Sequence, residues 1–302
     1  MDHMGLYADA TALLSGWAAP WTVRYGDRLR FAGEDLDEPE VWRVPTRHGA
    51  VRCEVYRPPA GRHCRAGRVP VLVHFHGGAF IMRHPRMDDF WARYVVARTG
   101  VVVVNVDYAV APRVRYPVAH EQAHDVVRWV IDHGGEFGLD GSRVAVGGFS
   151  AGGNLAASAC LQIRDHGDDP ARLLLLAVPS LDVSTTDKPA ATDRPMIDAR
   201  LMRLVRATYF KDASRREEPY ASPLLADDLH GLPPTLVLTA ELDALRAEGE
   251  AFVERLRAAG ATVDHHRVPR RDHYFLDPED PRGAEALMAR MADAVGASVM
   301  AG

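Results

Sequence analysis

GGFSAGGNL, residues 147–155, is the stretch on which the reading of this chain turns. Ser150 has a glycine two places before it and another two places after it. The preceding residues, SRVAVGGF, form a β-branched apolar run, and the following AGGNLAASACLQIRD has a helical pattern. A serine on a sharp strand-to-helix turn projects its hydroxyl above the sheet, and side chains two residues either side of it would collide. Gly148 and Gly152 remove that collision. Alone, G-x-S-x-G fits an ordinary glycine-rich loop as well as a nucleophile. The flanking elements favour the nucleophile.

The same alternation runs through the interior. VPVLVHFH (69–76), VVVVNVDY (101–108), LLLLAVPS (173–180) and TLVLTAE (235–241) are continuous apolar runs, and TVDHHRV (262–268) is a last strand. Such runs suit strands buried on both faces. Helical patterns at 88–99, 119–134, 247–260 and 284–300 separate or follow them. Strands alternating with helices make βαβ units with right-handed crossovers. The expected fold class is α/β, a single domain with a mostly parallel central sheet flanked by helices.

Two segments break this rhythm. Residues 1 to about 45 read as helical and amphipathic, and residues 183–222, including IDARLMRLVRATYF, form a long insertion between strands. Connections of that length usually serve as covers, so the two are expected to form a cap over the strand ends. Trp17, Trp21, Phe31, Met202, Val205, Tyr209 and Phe210 lie there. Packing of cap on core is weighed for them against lining of an acyl or alcohol pocket. Residues 57–68 read as a polar, Gly/Pro-rich hairpin connection.

A serine nucleophile needs a base, and the base needs an orienting carboxylate. On a sheet of this kind the partners follow the serine in the order acid, then histidine. Asp243 stands just past a buried strand, and His273 lies in a loop after the last one. Glu241 and Asp182 also follow strands; Glu241 reads as a supporting carboxylate and Asp182 as the second candidate for orienter. His265 and His266 are adjacent within a strand, so they point to opposite faces as pleat positions. HFHGGAF supplies His76, Gly77, Gly78 and Ala79, whose backbone can approach a substrate oxygen. The Ala151 amide, at a helix N-terminus, would add a further donor. Gly77, Gly78, Ala79 and Ala151 are therefore the candidate oxyanion hole.

Composition excludes other classes. A formal net charge of −5 gives no basic footprint for nucleic acid. No stretch approaches the length of a membrane span, and the first twenty residues hold no Lys or Arg to open a secretory signal. Cys53, Cys64 and Cys160 lack metal spacing and read as reduced thiols of a cytoplasmic protein. Neither a metal nor an organic cofactor is expected.

These residues resemble the hormone-sensitive-lipase-like family of α/β-hydrolases, whose bacterial members are carboxylesterases. The resemblance runs through HFHGGAF, VNVDYAVAPRVRYPVAHEQAHDVVRWV, GGFSAGGNLAA, PYASPLL, LPPTLVLTAELDALRAEGEAFVERLRAAG and RDHYF, over roughly residues 70–290. It implies Ser150 as nucleophile, Asp243 as orienter and His273 as general base acting on short- to medium-chain esters. It also implies Gly78, Ala79 and Ala151 as oxyanion donors, with Gly77 shaping the loop. The same triad would serve an amidase or deacetylase; relatives that act as lyases or as non-catalytic receptors mark further alternatives. A homodimer through the last sheet strand is a weaker implication. Three positions depart from the family pattern: Ala79 replaces a third glycine, Phe149 an acid and Tyr274 a glycine. None carries a reacting atom, so they bear on substrate range.

Overall fold

The computed structural model describes residues 3–59, 68–168, 171–189 and 191–300. One eight-stranded sheet runs through it, from β1 (Glu40–Val44) and β2 (Val51–Tyr56) to β7 (Thr235–Ala240) and β8 (Val263–Val268). Between them come β3 (Val69–Phe75), β4 (Val102–Asp107), β5 (Leu139–Phe149) and β6 (Leu173–Ala177). Their spatial order is β1-β2-β4-β3-β5-β6-β7-β8. β2 runs antiparallel to both of its neighbours, and all the later pairings are parallel. This is the mostly parallel α/β sheet expected from the alternation of strands and helices, and it agrees with the α/β-hydrolase fold that the resemblance implies.

Every residue of β3, β4, β6 and β7 is buried, because helices cover both faces of the sheet. The pleat divides the core in two. Val71, Val73 and Phe75 face α3 (Val118–His133) and α4 (Ala151–Asp165), together with α6 (Arg246–Ala258). Leu72, Val103 and Leu175 face α2 (Asp89–Thr99) and α7 (Pro281–Met300). Period-two alternation thus persists inside runs that look uniformly apolar.

The first forty-five residues depart from expectation. Helix is confined to α1 (His3–Thr22) and a short turn at Tyr25–Arg28, while EVWRV forms edge strand β1 against β2. The β-branched and aromatic residues of that run suit a half-exposed edge. Helix α1 is also inside out relative to a usual amphipathic helix. Ala8, Ala12 and Ala19 are buried, whereas Leu6, Tyr7, Leu14, Trp17 and Trp21 are exposed. Small residues allow a close approach: a Cβ on Gly16 would lie 2.8 Å from the Ile81 carbonyl oxygen. Helix α5 (Ala199–Thr208), from the insertion, packs against α1. Most of the expected hairpin connection at 57–68, with Cys64, lies outside the described residues.

Candidate active site

Strand β5 ends at Phe149 and α4 begins at Ala151, so Ser150 is the turn between them, with φ 55° and ψ −116°. Its amide donates to the Ala177 carbonyl at 2.9 Å, and its carbonyl accepts from the Ser180 amide at 3.2 Å. Both flanking glycines are forced by space. A Cβ on Gly148 would fall 2.3 Å from the Gly152 carbonyl carbon, and one on Gly152 would fall 1.9 Å from the Phe75 carbonyl oxygen.

His273 Nε2 lies 2.8 Å from Ser150 Oγ, and its Nδ1 lies 2.8 Å from Asp243 Oδ2. A carboxylate can only accept, so Nδ1 carries the proton and Nε2 is free to accept from the serine hydroxyl. Asp243 is buried, and its other oxygen accepts from the Leu245 amide at 3.0 Å. The three residues reach the same point from the ends of β5, β7 and β8. Asp243, rather than Asp182, is therefore the carboxylate against the imidazole. Asp182 instead accepts from the Ser184 amide and hydroxyl at 2.8 and 2.6 Å. Glu241 accepts from the Arg270 amide at 2.6 Å, and Arg271 receives the Leu242 amide at 2.8 Å, so this region fastens the histidine loop. His265 lies on β8, bonded to Thr239.

The HGG loop turns beneath Ser150. Gly78, Ala79 and Phe80 have φ of 121°, 52° and 58°. The two L residues are held there by the surroundings. Gly78's carbonyl accepts from the Ile81 and Met82 amides at 3.0 and 2.9 Å. The amides of Gly78, Ala79 and Ala151 have no acceptor among the described residues. Gly77 lies directly under the serine, where a Cβ would be 3.8 Å from Ser150 Cβ. Its carbonyl accepts from His76 Nδ1 at 2.6 Å. His76 stacks on Tyr108, and burial pushes its pKa down to about 4, so the ring is neutral.

Two pockets meet at the serine. One is lined by Ala151, Ser180, Lys188, Met202, Val205, Arg206 and Leu245. The other is walled by Gly77, Met82, Phe149, Val178, His273 and Tyr274. Ala79, Ser150, Ile197 and Leu201 belong to both. The aromatic candidates divide sharply. Met202 and Val205 line a pocket; Trp17 and Trp21 face outward and contact each other at 4.9 Å. Tyr209 and Phe210 are buried against Phe80 as packing, and Phe31 sits at the edge of the α2–α7 core. Phe149 meets His74, Trp91 and Phe275 through ring contacts. Tyr274 stacks on Tyr25, ring centroids 4.3 Å apart.

Sequence reasoning missed the pocket's charged end. Lys188 ion-pairs with Glu248 on α6 and donates to the Asp182 carbonyl at 2.6 Å, both side chains being buried. Burial pushes the Glu248 carboxyl up to about 7, against the opposing pull of Lys188. A lysine in an otherwise polar loop carries no signal of burial, because its partner lies 60 residues on.

The profile of the alpha/beta hydrolase fold matches residues 72–277. The carboxylic ester hydrolase LipN of Mycobacterium tuberculosis is 34% identical over 286 residues, covering 92% of this chain and 73% of that protein. The arylesterase of Saccharolobus solfataricus is 32% identical over 235 residues, covering 76% of this chain and 77% of its own length. Among solved structures, an esterase of Pyrobaculum calidifontis superposes with a TM-score of 0.82 at 30% identity, covering 98% and 94% of the two chains. A thermostable esterase from Pseudomonas putida gives 0.84 at 30% identity, covering 99% and 97%. With the strand order, the serine turn and the HGG loop in place, the chain belongs to the α/β-hydrolase fold family, in its hormone-sensitive-lipase-like group.

Proposed function

We propose that this protein is a serine carboxylesterase acting on short- to medium-chain esters through an acyl-enzyme. The observation that carries the proposal is the unbroken line Ser150 Oγ–His273 Nε2–Asp243, two contacts of 2.8 Å, at the junction of two pockets. The names of the relatives agree with it.

In this reading Ser150 Oγ attacks the ester carbonyl while His273 Nε2 takes its proton, and Asp243 stabilises the imidazolium. The oxyanion forms against the free amides of Gly78, Ala79 and Ala151, each worth about 3 kcal/mol in the transition state. Collapse breaks the bond to the alcohol oxygen, which takes the proton from His273. Water then adds to the acyl-serine by the reverse route. No step calls on a metal or cofactor. The departing oxygen must reach His273, so the alcohol occupies the pocket that His273 walls, and the acyl chain occupies the other.

Helix α1 and the 183–222 insertion act as the cap in this scheme, which the packing of α1 on α5 and the insertion's place in the wall of the serine pocket support. A covered acyl pocket favours short to medium chains. The free, buried thiols of Cys53 and Cys160 are consistent with a cytoplasmic location, and no helix among the described residues is long and apolar enough to cross a membrane. The half-exposed edge strand β8 offers a dimer contact, testable by light scattering. The deciding experiment is hydrolysis of p-nitrophenyl butyrate by wild type and Ser150→Ala. Wild-type turnover with loss of activity and retained fold in the variant is expected; full activity in the variant would sink the proposal.

A further inference from the structure

We infer that the acyl pocket is built for an acyl chain that ends in a carboxylate, with Arg206 as the residue that selects it. The inference rests on the esterase reading above, which assigns that pocket to the acyl group. Helix α5 turns one stripe toward the pocket: Leu201, Met202, Val205 and Arg206. Three of these are apolar, and Arg206 ends the stripe as its single charge, about one helical turn beyond Met202. Arg200 and Arg203 lie outside this pocket, in the cleft between α5 and α1.

Arg206 lacks what every other charged group of that pocket has. Lys188 is closed off by Glu248 and the Asp182 carbonyl, and Asp182 is engaged by Ser184. Arg206 is half-buried, and its Nε is fully buried without a hydrogen-bond partner. Arg206 takes part in none of the ion pairs among the described residues, whereas Arg215 on the same insertion pairs with Glu218. Arg216 brings further positive charge nearby: its Nη2 donates to the Arg206 carbonyl at 3.2 Å, and its own pKa is lowered first by burial and then by Arg206. A guanidinium without a counter-charge, with one donor already desolvated and unpartnered, is matched by a carboxylate, which accepts charge-assisted hydrogen bonds from its remaining donors. Asp182 lines the same pocket and repels an anion placed beside it, which leaves Arg206 as the seat for the charge. An acyl chain that runs from Ser150 along the apolar stripe and carries a carboxylate meets Arg206 in the same pocket. The substrate class is therefore the half-ester of a dicarboxylic acid.

The test compares mono-4-nitrophenyl adipate with 4-nitrophenyl hexanoate, which match in chain length and leaving group. The readout is the ratio of their kcat/KM values in wild type, Arg206→Met and Arg206→Lys, with folding checked by thermal melting. The ratio is expected to fall roughly tenfold or more in Arg206→Met and to be partly kept in Arg206→Lys. In wild type, adipate half-ester hydrolysis alone should weaken as salt rises from about 0.05 to about 0.5 M, which covers the case of a variant that fails to fold. Hydrolysis of both esters with a ratio unmoved by substitution or by salt overturns the inference and leaves the esterase reading intact. Failure of folded wild type to hydrolyse either ester overturns the esterase reading itself.

Discussion

Tyr209 lies flat against Phe80, ring centroids 5.0 Å apart and planes 7° from parallel. Phe80 closes the HGG loop with a positive φ, and Tyr209 comes from the far end of α5, so the insertion clamps the loop that carries the proposed oxyanion amides. The Tyr209 hydroxyl accepts from the Ala119 amide and pairs with His120 Nδ1, both at 3.0 Å. His120 Nε2 in turn pairs with Asn154 Oδ1 at 2.8 Å. Tyr209→Ala should cost about 3–5 kcal/mol in urea unfolding and lower kcat, through the lost stack and the cavity. Tyr209→Phe keeps the stack and should cost about 1–2 kcal/mol with kcat nearly kept. Equal loss of kcat in the two variants would show that the stack does not hold the loop.

Asp243→Asn tests the tautomer argument. An amide can donate to Nδ1, which turns the imidazole so that Nε2 bears the proton and cannot accept from Ser150. Turnover of p-nitrophenyl butyrate should fall by about 10³–10⁴ in kcat with KM little changed. Asp182→Asn, whose carboxylate faces Ser184, should leave the same kcat within about twofold. Stopped-assay kinetics on the two variants separate the carboxylates; a large kcat loss in Asp182→Asn alone would reverse the assignment.

Acid should unfold the protein through two histidines. Burial lowers the pKa of His76 to about 4 and of His120 to about 3. The unfolded chain takes protons on both below about pH 6.5, and the folded chain does not until the lowered values are reached. Their contribution to stability is thus present above about pH 6.5 and is lost as pH falls toward 4. The slope is at most roughly 1.4 kcal/mol per pH unit for each imidazole. Urea titrations between pH 7 and pH 4 should show that slope, and His120→Gln should reduce it by about one imidazole's share. An unchanged slope in His120→Gln would remove His120 from the account.

Lys188→Met leaves Glu248 buried without its cation and should cost about 3 kcal/mol at pH 8. Glu248's pKa is already raised by burial, and losing Lys188 raises it further. A raised carboxyl favours the fold below its unfolded pKa and withdraws that stability as pH rises through the folded value, so the penalty should be smaller at pH 5 than at pH 8. Limited proteolysis near residue 188 reads the same effect locally. A penalty independent of pH, or a Lys188→Met/Glu248→Leu double variant no more stable than the single one, would count against a buried ion pair here.

Much of this architecture was legible in the sequence because it depends on neighbours along the chain. The runs at 69–76, 101–108 and 235–241 announce buried strands by their residues alone, and Gly148 and Gly152 announce a turn that admits no side chain. Ser150, Asp243 and His273 could be read in order because each follows a strand end. What was not legible depends on partners far away in sequence. Trp17 and Trp21 read by composition as cap packing or pocket lining, with packing favoured, yet α1 packs by its alanines and turns them outward. EVWRV becomes a strand only because β2 lies beside it. Arg206 reads as one more arginine in a basic helix until the pocket shows which way its stripe faces.

The two glycines around Ser150 also bear on how such a protein can diversify. Any mutation at codon 148 or 152 drives a carbon to within 2.3 Å of the opposing backbone, so selection removes it before specificity is ever tested. Room for change lies instead along the two pockets, which Ala79, Phe149, Tyr274 and the inner stripe of α5 line. A lineage carrying this fold is therefore expected to inherit its reaction unchanged while its diet drifts.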